Sequence, residues 1–129
     1  ILMNGDLLTK VNLENLLDFH NQKGDLVTMC IREYDFQVPY GVVNIGGEHV
    51  TSIVEKPVQK FFINAGIYVL EPRLTDNIDG NTYLDMPNLL KSQIEQGENV
   101  GVFPIHEYWL DIGEMREYEQ ADKHYAREF

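Results

Sequence analysis

Two aspartates stand beside glycines at the ends of apolar segments. Asp6 closes Ile1-Leu2-Met3-Asn4-Gly5-Asp6, and Asp111 follows Trp109-Leu110 and precedes Ile112-Gly113. An adjacent glycine lets another group approach the backbone closely. Two carboxylates meeting at a sheet edge suit Mg²⁺, a hard ion that takes oxygen ligands and keeps water and substrate phosphate in its shell. The alternative is turn or cap chemistry, because Gly-Asp and Asp-x-Gly are common in loops. A second charged pair, Glu55-Lys56-Pro57, is expected to close a strand, where neighbours point to opposite faces. A glutamate there can accept hydrogen bonds from sugar hydroxyls, and a lysine can meet a phosphate as a point charge. An ordinary surface strand end is the competing reading. Asn64 precedes Ala65-Gly66 inside a long apolar run. Asparagine is unfavourable in mid-strand, so a ligand or a neighbouring backbone group must satisfy its amide.

The elements that would position these groups follow from periodicity and punctuation. Residues 1–3 read as a buried strand. Asn12 caps a helix with Leu13, Leu16 and Leu17 at helical spacing, and Gly24 stops it. Residues 26–31 read as a second buried strand, so strand, helix and strand form a βαβ unit with parallel strands. Ligands gather beyond the carboxyl ends of such strands, where Asn4-Gly5-Asp6 lies. Residues 33–39 read as a loop. Residues 40–45 and 50–55 flank Gly46-Gly47 as a hairpin. Residues 61–70 form a third long strand that ends before Pro72. A helix runs from about 86 to 96, with Asp85 as cap, Pro87 in its first turn, Gly97 as stop, and Leu89, Leu90 and Ile94 as its apolar stripe. Residues 100–105 form a strand, and residues 114–129 a charged helix that packs through Met115, Tyr118, Ala121 and Tyr125.

Composition narrows the function classes. A formal charge of -11 over 129 residues argues against a nucleic-acid partner, since nothing offsets repulsion of a phosphate backbone. Hydrophobic residues at 43% are enough for a core. No apolar stretch approaches a membrane span, and the cytoplasm is the expected compartment. Cys30, the single cysteine, reads as a small buried hydrophobe. His20, His49, His106 and His124 are scattered without metal-site spacing, and His20 and His124 fall late in helices, where a cation favours the dipole, so structural roles are expected of them. Tyr108 and Trp109 either wall a ligand site or belong to the core. The chain opens inside an apparent strand, so residues upstream are expected to be missing.

Asn4-Gly5-Asp6, Tyr40-Gly41-Val42-Val43, Glu55-Lys56-Pro57, Asn64-Ala65-Gly66-Ile67-Tyr68 and Trp109-Leu110-Asp111-Ile112-Gly113 occur in a characteristic order. In that order and spacing the chain resembles the sugar-1-phosphate nucleotidyltransferases, or nucleotide-sugar pyrophosphorylases, over nearly its whole length. Segments 61–68 and 109–113 most resemble the mannose-1-phosphate guanylyltransferase branch. The resemblance implies an α/β fold with a mixed, mainly parallel sheet flanked by helices. Residues 1–129 would be the carboxyl-terminal, metal- and sugar-binding part of one truncated Rossmann-like domain. It further implies that Asp6 and Asp111 hold a catalytic Mg²⁺. Gly41 would touch the sugar through its backbone, Glu55 would accept from a sugar hydroxyl, and Asn64 would make another sugar contact. Lys56 would meet the sugar phosphate as a catalytic and binding residue, with Trp109 as a wall. The implied partners are a hexose 1-phosphate and a nucleoside triphosphate, with a lean to mannose 1-phosphate and GTP. Nucleic acid and membrane are not expected as partners, and a homo-oligomer is compatible with the resemblance. The family's glycine-rich loop with its arginine has no counterpart here, so the chain alone is expected to be inactive. Two rivals are a non-catalytic sugar-phosphate sensor and a metal-dependent glycosyltransferase, the latter lacking its usual Asp-x-Asp.

Overall fold

The computed structural model describes all residues from Ile1 to Phe129. Its elements are β1 (Leu2–Met3), β2 (Leu7–Thr9), α1 (Leu13–Lys23), β3 (Val27–Gln37), β4 (Val42–Gly46), β5 (His49–Val54), β6 (Val58–Leu70), α2 (Pro72–Thr75), α3 (Met86–Glu95), β7 (Val100–Pro104), β8 (Trp109–Asp111) and α4 (Met115–Glu128). They fall into two compact units: Ile1–Ile31 with Asn64–Phe129, and Arg32–Ile63. No helix is long and apolar enough to cross a membrane.

The first unit is built around a mixed sheet of order β1-β6-β3-β7. β7 runs parallel to β3, and β1 runs antiparallel to β6, with Leu2 opposite Tyr68. The α/β class and the mixed sheet are as expected. The strands expected to make up the βαβ unit, β1 and β3, are not neighbours, however, because β6 lies between them, and β2, the strand directly before α1, pairs with β8 instead. The place of β6 is set by composition: its residues 65–69 are all buried, as only a central strand can be, whereas Leu2 and Met3 on β1 are 41% and 39% exposed. The expectation of a buried first strand is therefore corrected to an exposed edge.

Strand alternation sends side chains to two separate cores. Ala65, Ile67 and Val69 join Leu16, Cys30 and Ile105, while Tyr68 joins Leu26, Val27, Leu74, Leu89 and Leu90. Local chemistry sets the helix ends. Asn12 accepts from the Asn15 N–H at 3.0 Å and Asp85 from the Asn88 N–H at 2.9 Å, each satisfying a first-turn donor that the helix leaves free. Gly24 takes a left-handed φ of 68° and returns its N–H to the His20 carbonyl.

Only Leu16 and His20 are buried on α1, since Leu13 and Leu17 sit at its margin. His20 has the expected structural role, but from inside the protein and not from the helix surface. It is 2% exposed, with Nδ1 at 2.7 Å from Thr28 Oγ1 and Nε2 at 2.7 Å from Glu71 Oε1. Cys30 is buried as expected; burial, then the charge of Glu107, pushes its thiol up to about 12. The expected packed stripe on α4 is not formed: Ala121 alone is buried, and Met115, Tyr118 and Tyr125 face solvent.

In the second unit no side chain is fully buried. β3 continues through residues 33–37, replacing the expected loop, because its alternating apolar and polar residues can extend a ladder. β4 and β5 form the expected antiparallel hairpin, but the turn is Gly47-Glu48; Gly46 remains in the strand opposite His49. Gly47 alone supplies the positive φ, 62°, that the tight turn requires. Asn44 Nδ2 to Ser52 Oγ at 2.7 Å and Thr51 Oγ1 to the Asn44 carbonyl at 3.1 Å reinforce it beside a register shift.

Candidate functional site

β2 and β8 bring the two aspartates together although they lie at opposite ends of the chain. The strands are antiparallel, with Leu7 opposite Asp111, and the Ile112 N–H donates to the Asp6 carbonyl at 2.8 Å. Asp6 and Asp111 are thus neighbours at one end of a short ladder. Local desolvation, then the charge of Asp6 and the charge of Glu117, hold the exposed Asp111 carboxyl above its ordinary value. Neither aspartate takes part in the protein's ion pairs. An acid pair without an internal counter-charge fits a divalent cation from solution. Two protein carboxylates would also leave coordination positions for water and phosphate, as Mg²⁺ prefers.

The ladder is anchored to the sheet near Asn64. The Asn4 N–H donates to the Gly66 carbonyl and the Trp109 Nε1–H to the Ala65 carbonyl, each at 2.9 Å. Trp109, half-buried, also packs against the core that contains Ala65. Tyr108 donates or accepts at His124 Nδ1 at 2.9 Å, giving His124 a structural partner.

Asn64 satisfies its amide internally. Its Nδ2 donates to the Tyr68 hydroxyl at 2.6 Å, and its Oδ1 accepts from the Gly66 N–H at 2.9 Å. Gly66 has a φ of 72°, and a Cβ on it would come within 2.7 Å of the Asn4 side chain. Glycine therefore lets the Asn4-Gly5-Asp6 turn approach β6. Asn64 borders a cleft of about 420 Å³ with Met29, Pro87, Leu90 and Lys91.

The second unit gathers the other expected residues. A Cβ on Gly41 would stand 3.2 Å from Glu55 Oε2, so glycine leaves that carboxylate its space. β5 ends at Val54, so Glu55 and Lys56 do not alternate across a strand. Lys56 instead has a left-handed φ of 43°, which breaks the extended pattern before Pro57. Both side chains are exposed.

Glu117 escaped the sequence reading. Its Oε2 accepts from the Glu114 N–H at 2.7 Å in a capping box that begins α4, close enough to Asp111 for its charge to act there. The available signal was Glu114-x-x-Glu117, which lacks the Ser or Thr that usually marks such a box.

A protein-family model described as nucleotidyl transferase matches residues 1–128. Mannose-1-phosphate guanylyltransferase 1 of Arabidopsis thaliana is 33% identical over 91% of this chain and 33% of its own length. Glucose-1-phosphate adenylyltransferase of Clostridium kluyveri is 26% identical over 99% of this chain and 37% of its own. The chain spans about a third of the length of the curated relatives it matches. Among solved structures, HddC from Yersinia pseudotuberculosis aligns with a TM-score of 0.63 at 23% identity, covering 95% of this chain and 53% of that one, a likeness of fold.

Proposed function

Because the chain belongs to the nucleotidyl transferase family, we propose that it is the metal- and sugar-handling part of a sugar-1-phosphate nucleotidyltransferase. The observation that carries this reading is the pairing of Asp6 with Asp111 across β2 and β8 without an internal counter-charge. The two carboxylates would hold Mg²⁺, which when bound supplies neutralisation for phosphates that must approach despite like charge. Lys56 meets the phosphate of the hexose 1-phosphate. Glu55 and Asn64 accept from or donate to its hydroxyls, and Gly41 admits the sugar against its backbone. A sugar-phosphate oxygen attacks the α-phosphorus of the triphosphate, forming one P–O bond as the bond to pyrophosphate breaks. The protein's part is positioning and charge compensation.

Mannose 1-phosphate and GTP are the proposed substrates, supported by the names of the relatives near 33% identity; an adenylyltransferase at 26% is the competing lead. The 129-residue chain alone is inactive on this reading, because its sequence holds no glycine-rich triphosphate loop. The test is pyrophosphate release by the whole protein from mannose 1-phosphate and GTP with Mg²⁺, set against ATP and UTP. Asp6→Asn and Lys56→Ala should each lower turnover on the order of 10²-fold or more. Binding of the sugar phosphate without pyrophosphate release under any triphosphate would replace this reading with the sensor.

A further inference from the structure

Lys56 is the only residue other than glycine with a positive φ, 43°. A left-handed backbone presses Cβ against the following carbonyl, and a residue before proline is ordinarily driven to extended conformations. Two local preferences are therefore overridden at one lysine. Such a conformation persists only where its surroundings over-determine it.

Those surroundings are the segment 37–41 of the same unit. The Val38 N–H donates to the Pro57 carbonyl at 3.0 Å, and the Lys56 N–H donates to the Tyr40 carbonyl at 3.3 Å. Gln37 Nε2 donates to the Lys56 carbonyl at 3.3 Å. The peptide groups on both sides of the Lys56 α-carbon are thus held by one segment. Of these three bonds, only the one from Gln37 is made by a side chain. Relaxation of Lys56 to the extended region would swing its Cα–Cβ bond and carry the ammonium away.

We propose that Gln37 is a positioning residue that holds Lys56 in its left-handed conformation and so aims the ammonium at the sugar phosphate. This rests on the role of Lys56 given above. A strained backbone is useful at such a place because it leaves the charge in position before substrate arrives. On this reading Gln37 acts through Lys56, whose carbonyl its side chain reaches.

The test uses the whole protein and mannose 1-phosphate. Gln37→Met removes the polar group, and Gln37→Glu keeps the shape but removes the donor. Each should weaken the KM for mannose 1-phosphate about three- to ten-fold, the worth of one hydrogen bond, while the KM for GTP stays unchanged. Calorimetric binding of mannose 1-phosphate should weaken in parallel, and Lys56→Gly should raise the thermal midpoint as strain is released. Equal losses for both substrates, or losses that only track thermal stability, overturn the proposal by reducing Gln37 to a part of the fold. A fall in the midpoint of Lys56→Gly overturns the strain on which it depends. If Lys56→Ala weakens the sugar phosphate but the Gln37 variants do not, this proposal alone is lost. If Lys56→Ala has no effect, the proposed role of Lys56 goes with it.

Discussion

The two units hold their candidate residues by different physical means. In the first, Asp6 and Asp111 are placed by a ladder hung on a sheet whose Cys30, Ala65 and Ile67, with Leu16 of α1 in the same core, are 0% exposed. In the second, Glu55 and Lys56 are placed by hairpin and segment hydrogen bonds, while Tyr40, Ile45 and Phe62 are 72–74% exposed. Burial makes a position resistant, since opening it exposes apolar surface to water. A hydrogen bond contributes about 0.5–1.5 kcal/mol net, so a position held by a few of them opens more readily than one held by buried apolar surface, and removing one bond is enough to be felt. The metal-directed pair should accordingly be the durable part, and the lysine the part whose geometry loss of a single hydrogen bond can release.

Core deletion is the strongest way to break that contrast. Leu16→Ala should cost about 2–5 kcal/mol by lost burial and a residual cavity, measured by urea unfolding. His20→Ala should cost about 1–3 kcal/mol in the same measurement, because Thr28, 0% exposed, and Glu71 each lose a partner.

Asp111→Asn sharpens the contrast inside the first unit. A carboxyl held above its ordinary value by local desolvation, Asp6 and Glu117 binds its proton more tightly in the folded state than in the unfolded chain. The resulting destabilisation is absent below the unfolded value and complete above the raised one. The variant should therefore unfold at a higher temperature than the parent at neutral pH. That advantage should fade as pH falls through the carboxylate range. Added Mg²⁺ should stabilise the parent more than the variant. The smallest effect is expected from Ile45→Thr, within about 0.5 kcal/mol. Hydrogen exchange should likewise be faster at the amides of β4 and β5 than at residues 27–31 and 64–70. An Ile45→Thr cost comparable to that of Leu16→Ala would abolish the distinction between the units.

Features decided by a few neighbouring residues were legible. The caps at Asn12 and Asp85 and the stop at Gly24 depend on bonds three or four residues long. The burial of residues 26–31 and the hairpin of 40–55 were also readable as apolar runs and turn punctuation. The order of motifs identified the family before any geometry was known. The Gly47-Glu48 turn was displaced by one residue from the expected glycine pair, because either glycine can take positive φ and only the strand register chooses. The α4 stripe misled because helical spacing shows which residues share a face, without saying that anything covers it.

Sequence by itself determined the helix ends, the apolar runs, the single cysteine and the set of residues able to do the chemistry, since each rests on composition or on partners close along the chain. Tertiary structure alone decided that β6 lies between β1 and β3, that His20 meets Glu71, and that Leu7 stands opposite Asp111. Those outcomes turn on which distant segments pair and in what register. A strand's side-chain pattern constrains that choice to one of two faces and leaves the partner open.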